Sequence, residues 1–166
     1  MSVTYRIVQL DCEKLAAKAA DELISGVKWD LRFLELAKLV STWSKDPSTQ
    51  VGAVVVDKEK RVVSLGYNGL PKNVQDSEER LNDRDLKLKL IIHAELNAIQ
   101  FARQNLSGCT LYTHPFMPCS VCASHVIQSG ITRVVSLLEP KESKWAESIL
   151  LSNKIFKESG VEVCLY

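Results

Sequence analysis

Long apolar runs are missing from this chain. No stretch approaches the roughly 20 residues that a membrane-spanning helix needs, so no membrane partner is expected. A basic excess is missing too: 21 Lys and Arg stand against 20 Asp and Glu, for a net charge of +1. Proteins that grip duplex or long single-stranded nucleic acid carry such an excess or a basic stripe. The balance therefore points to a small substrate and away from a nucleic-acid partner. Met1–Arg6 lacks the charged-then-apolar start of a secretory leader, and the cysteines number five, an odd count. These features predict a reducing, cytoplasmic setting in which thiols serve as metal ligands rather than disulfides. Repeats, linkers and low-complexity segments are absent as well.

What is present suits one soluble domain. The 166 residues are enough to bury an ordinary core, and 46% hydrophobic with 25% charged residues is usual for a globular protein. Residues 1–26 read as an N-terminal helical extension, with an alanine-rich helix over Cys12–Ile24 stopped by Gly26. Residues 27–166 form the main domain. A helix is expected from Asp30 to about Thr42, with Leu31, Leu34, Ala37, Leu39 and Val40 on one face. Val51–Val56 and Arg61–Tyr67 read as strands of a hairpin, and Asn68-Gly69-Leu70-Pro71 as the loop that follows. The charged stretch Asp76–Lys89 is helical in part. Helices near Ala94–Gln104, Ser120–Gln128 and Ala146–Glu158 then alternate with strands at Thr110–Thr113, Arg133–Leu137 and Val161–Leu165. A hairpin followed by β-α-β-α-β predicts an α/β fold, a three-layer α-β-α sandwich with a central mixed five-stranded sheet.

The chemistry concentrates in two short motifs, His93-Ala94-Glu95 and Pro118-Cys119-Ser120-Val121-Cys122. One histidine and two cysteines can hold Zn²⁺ in three tetrahedral positions and leave the fourth to water. This H-x-E…P-C-x-x-C pattern matches the signature of zinc nucleobase deaminases. Both motifs fall at expected helix starts, where the partial positive charge favours thiolates. Cys119 and Cys122, three apart, share one face of a turn, and Pro118 suits a helix start. Zinc lowers the pKa of bound water towards about 7. Glu95, too near His93 to chelate independently, is placed to shuttle that water's proton to a ring nitrogen and on to departing ammonia. A lone Cys-x-x-Cys also occurs in redox pairs and in half of a zinc ribbon. Here a second Cys-x-x-Cys is absent, and a redox pair has no need of His-Ala-Glu upstream. His114 is a candidate to line the pocket, His125 packs or faces solvent, and Cys12, Cys109 and Cys164 read as small buried hydrophobes.

Beyond the metal motif, Ser44-Lys45-Asp46-Pro47-Ser48-Thr49-Gln50-Val51-Gly52-Ala53, Gly66–Pro71 and His93–Ile99 resemble segments of the deoxycytidylate deaminases, within the cytidine deaminase-like zinc-dependent superfamily. The resemblance runs from about Trp29 to Tyr166. It implies hydrolytic deamination of dCMP to dUMP with loss of ammonia, feeding dTMP synthesis. It assigns His93, Cys119 and Cys122 as zinc ligands and Glu95 as the shuttle, with Asn68 on the nucleotide's sugar or base. Lys45, Ser48 and Thr49 are its candidates for the 5′-phosphate, although a solvated turn explains those residues nearly as well. It also implies a homo-oligomer, commonly a hexamer, with dCTP activating and dTTP inhibiting, and Mg²⁺ accompanying a triphosphate effector. Two departures stand out. Residues 71–92 hold neither Cys nor His, which predicts one zinc per chain, without the second structural zinc of some members. The aromatic that many members carry just after the fourth strand is replaced by Leu138-Glu139-Pro140-Lys141, and Trp145 is the next aromatic. Two other readings stay open: a deaminase of RNA or single-stranded DNA using the same zinc chemistry on an extruded base, and a non-catalytic zinc-containing nucleotide-binding regulator.

Overall fold

The computed structural model describes residues 21, 24–138 and 145–166. The chain divides into two compact units, Met1–Arg32 and Phe33–Tyr166. Most of the expected extension, including nearly all of its Cys12–Ile24 helix, lies outside the described residues. In the smaller unit, residues 24–32 are helical, and Gly26 sits inside that helix instead of stopping one. A single glycine costs a helix only about 1 kcal/mol against alanine, which is too little to force an end. Arg32 lies over the Trp29 ring, 4.7 Å from its centroid.

In the larger unit, residues 33–41 form α1, with Phe33, Leu34, Ala37 and Val40 buried. Leu39, expected on that stripe, is exposed, because a one-residue offset turns a helical side chain by about 100°. The sheet comprises β1 (Gly52–Val56), β2 (Val62–Tyr67), β3 (Thr110–His114), β4 (Arg133–Ser136) and β5 (Glu162–Leu165), in the order β2-β1-β3-β4-β5. β1 is antiparallel to both neighbours, whereas β3, β4 and β5 run parallel. The sheet is mixed, as expected. The β1–β2 hairpin is closed by Asp57, whose Oδ1 accepts from the backbone N–H groups of Glu59 and Arg61 at 3.0 and 2.9 Å. The helices between strands are α2 (Glu78–Asn82), α3 (Arg84–Leu90), α4 (Ala94–Phe101), α5 (Ser120–Gln128) and α6 (Ala146–Ser159). α5 and α6 are the crossovers that parallel pairing of β3, β4 and β5 requires.

Residue parity assigns the layers. A side chain at Gly52 would run into the Ala37 carbonyl and the Ser41 N–H of α1; one at Gly66 would run into the Ala94 carbonyl and the Ala98 N–H of α4. Gly52 pairs with Tyr67 and Ala53 with Gly66, and successive residues of a strand face opposite sides. α1 and α4 therefore cover opposite faces of the sheet. The core on the α4 side joins Ala53, Val55, Leu111 and Val134 of the sheet to Ala98, Ala123, Val126 and Phe156 of α4, α5 and α6. On the other face Phe33 meets Tyr112, ring centroids 5.0 Å apart. Three layers result.

Glycine at 66 lets α4 lie directly on the edge strand, and this fixes where the helix starts. Gly66→Ala is expected to lower the unfolding free energy by about 2–3 kcal/mol through overpacking, as read by urea denaturation. Unchanged stability would mean that α4 can lift off the strand without penalty.

Candidate active site

Two helix starts meet over the α4 face. His93 is the N-cap of α4 and Cys119 the N-cap of α5, and neither side chain caps its own helix. They turn towards each other instead. Nδ1 of His93 lies 3.5 Å from Sγ of Cys119 and 3.3 Å from Sγ of Cys122. All three ligand atoms fall within 4.8 Å of one another. A tetrahedral Zn²⁺ with ordinary Zn–N and Zn–S lengths separates N from S by about 3.6 Å. The three donors thus fit zinc by both chemistry and spacing, and the set leaves one position open.

Hydrogen bonding couples the protons of the three donors. The Cys122 thiol hydrogen-bonds the Cys119 sulfur and lowers its pKa to about 4, with His93 helping. The same hydrogen bond, together with burial, raises Cys122. Cys119 in turn raises His93 through their hydrogen bond. Glu95, in the first turn of α4, is only 4% exposed. Burial pushes its carboxyl above the usual range, so a proton is held more readily there than on a surface carboxylate.

Surrounding elements keep the two helix starts in place. Gly69 and Ile92 exchange backbone hydrogen bonds of 3.1 and 2.8 Å, which tie the loop after β2 to the residue before His93. Asn97 Nδ2 donates to the Tyr67 carbonyl at 2.8 Å. From α6, Ser148 Oγ accepts from the Ser120 N–H at 3.0 Å, and the buried Ser152 hydroxyl donates to the Pro118 carbonyl at 2.8 Å. The Cys119 corner is therefore gripped on both sides.

A cleft opens beside this group, lined by His93, Glu95 and Cys119 together with Asp46, Ser48, Thr49, Asn68, Arg84, Lys87, Phe116 and Trp145. Of the residues expected from sequence, His93, Cys119, Cys122 and Glu95 come together, and Ser48, Thr49 and Asn68 line the same cleft. Asn68 is buried and engaged: its Oδ1 accepts from the Val51 N–H at 2.8 Å, and its Nδ2 donates to the Thr49 carbonyl at 2.9 Å and to Asp46 at 3.3 Å. Two candidates lie apart from the cleft. Lys45 does not line the cleft; its ammonium pairs with Asp76 at 2.8 Å and is largely exposed. His114 is absent from the cleft too. It pairs with Gly52 in register, faces the α1 side beside Lys38, and is lowered in pKa by burial and then by that lysine. Sequence reasoning misses Phe116, Arg84 and Lys87. Phe116 and Trp145 form an aromatic wall of the cleft, ring centroids 5.8 Å apart at 35°.

Fold and site together give a three-donor group that could hold a metal ion, with a buried carboxyl beside it. Comparison with known proteins agrees. The family model for the cytidine and deoxycytidylate deaminase zinc-binding region matches residues 27–138. A deaminase of uncharacterised function encoded beside luxG in Aliivibrio fischeri is 46% identical over 82% of this chain and 92% of its own length. The deoxycytidylate deaminase of Homo sapiens is 36% identical, over 89% of this chain and 83% of that one. Among solved structures, the dCMP deaminase of cyanophage S-TIM5 superposes with a TM-score of 0.64, covering 82% of this chain and 96% of that chain at 23% identity, and shares the fold. This chain belongs to the cytidine and deoxycytidylate deaminase family. Removing one thiolate tests the metal assignment: Cys122→Ala is expected to weaken zinc retention by more than about tenfold, as measured by metal analysis after dialysis against a chelator. Zinc retained at the wild-type level would show that the metal sits elsewhere.

Proposed function

We propose that this chain deaminates dCMP to dUMP, releasing ammonia. The observation that carries the proposal is the buried Glu95 carboxyl beside the His93–Cys119–Cys122 group, at the wall of a cleft that also has aromatic and cationic sides. The deoxycytidylate deaminases among its relatives, 34% to 41% identical, support the substrate, and the cyanophage dCMP deaminase has been solved with dCMP and dUMP. A zinc ion held by His93 Nδ1 and the two cysteine sulfurs would acidify a water molecule towards neutral pH. Glu95 then carries protons between fixed points. Its carboxylate takes one from the attacking water and gives it to ring nitrogen N3 as the oxygen adds to C4; it then takes the second proton from the new C4 hydroxyl and gives it to the amino group, so that C4=O forms as the C4–N bond breaks and ammonia leaves. Burial favours the proton-carrying form between these transfers. The Phe116–Trp145 wall gives the pyrimidine a surface on which to stack, and the remaining lone pair on Asn68 Oδ1 accepts from the sugar hydroxyl.

The same reading includes one zinc per chain, a cytoplasmic location and a homo-oligomer, with a hexamer favoured. It includes dCTP and dTTP as opposing effectors, Mg²⁺ accompanying the triphosphate. Its support is the family resemblance in the segments Ser44–Ala53 and Gly66–Pro71. For location, it is also the free thiols at Cys109, Cys119, Cys122 and Cys164 among the described residues.

Glu95→Gln keeps the shape and removes the titrating oxygen. It is expected to lower kcat for dCMP by about 10²–10⁴-fold while zinc stays bound, measured by ammonia release and metal analysis together. More than a tenth of wild-type activity in that variant, or wild-type turnover confined to a tRNA stem-loop, would contradict the proposal.

A further inference from the structure

Two cations on α3 line the cleft and are unused in the chemistry described so far. Lys87 is buried. Its Nζ donates to Asp46 Oδ1 at 2.8 Å and to Ser48 Oγ at 2.9 Å. Asp46 balances its charge, so the pair is neutral as a unit. The same carboxylate oxygen accepts from the Ser48 N–H at 2.8 Å, which fixes the loop carrying Ser48. Because the Ser48 oxygen takes the lysine's proton as acceptor, its own hydroxyl hydrogen remains to donate into the cleft.

Arg84 lies three positions before Lys87 and so occupies the same face of the helix. It is exposed, and its side chain makes no hydrogen bond or ion pair with the described residues. Its guanidinium is therefore not committed to a protein acceptor. A guanidinium offers a planar fork of donors that matches two oxygens of a phosphate at once. Acidic Asp46 in the same wall is already consumed by Lys87, Asn68 and backbone N–H groups, so it does not oppose an incoming anion as a free carboxylate would.

We propose that Arg84, with the Ser48 hydroxyl aimed by Lys87, binds the substrate's 5′-phosphate and makes this cleft select a nucleotide over a nucleoside. The assignment rests on the dCMP reading and moves the phosphate from the Lys45 end of the loop to α3. Arg84 and Ser48 contact the substrate; Lys87 is a positioning residue that acts through Ser48.

Competitive inhibition of dCMP deamination by dUMP and by deoxyuridine isolates the phosphate, using the full zinc-loaded chain. Arg84→Ala is expected to raise the dUMP constant about ten- to hundredfold relative to that of deoxyuridine. Arg84→Lys should restore part of the preference. Ser48→Ala, which leaves the Lys87–Asp46 pair in place, should reduce it by about two- to tenfold. A dUMP preference that survives Arg84→Ala overturns the inference while leaving dCMP deamination standing. A wild-type chain that does not deaminate dCMP removes the reading of the site, and the inference with it.

Discussion

The structure depends on the approach of two helix N-termini. His93 and Cys119 each cap a helix without bonding to it, and each spends its side chain on the other, 3.5 Å away. Neither helix could hold that position alone, since α4 has only eight residues and α5 nine. Their placement is set from outside. Gly66 admits the α4 backbone against β2, Gly69 pins Ile92, and Ser148 and Ser152 hold the Pro118–Ser120 corner from α6. A metal ion across the gap would tie together elements that are far apart in the chain, so ion binding and tertiary order reinforce each other.

The position of the cleft follows from the same arrangement. The two helix starts bring Cys122 and His93 against Cys119, and their hydrogen bonds favour its thiolate. The surrounding core buries Glu95 and makes its proton easier to keep. One environment thus pushes two acids a few residues from a shared centre in opposite directions, Cys119 down and Glu95 up. That separation is what a site needs if one group is to stay anionic and the other is to carry protons. Away from the metal, the Lys87–Asp46 pair closes the 44–51 loop against α3, where a single unpaired buried charge would be strongly destabilising.

Much of this is legible in the sequence because it depends on local spacing. His-x-Glu and Cys-x-x-Cys each report a helical turn, the apolar run at Val51–Val56 reports a central strand, and Asp57–Lys60 reports a hairpin. Where position depends on register or on packing between distant elements, reading along the chain falls short. Lys45 sits three residues from Ser48 in the chain, yet it reaches Asp76 on the outside. For His114 the strand's own alternation holds the answer, since it shares a side with Tyr112 and not with Leu111; proximity to Pro118 along the chain points the wrong way. Arg84 and Lys87 are hidden in a stretch so rich in charge that nothing marks them out, and Lys87 is buried there only because Asp46 meets it. Phe116 and Trp145 come from segments nearly 30 positions apart, and only the fold makes them one wall.

The central claim is that three protein donors hold zinc and leave a fourth position for solvent. Zinc K-edge X-ray absorption on the metal-loaded chain tests it directly. The expected shell contains two sulfurs at about 2.3 Å, one histidine nitrogen near 2.0 Å and one further light atom at about 2.0 Å. That last atom should be altered when dCMP or dUMP is added. A shell of three or four sulfurs, or one indifferent to nucleotide, would describe a closed structural zinc and contradict the account.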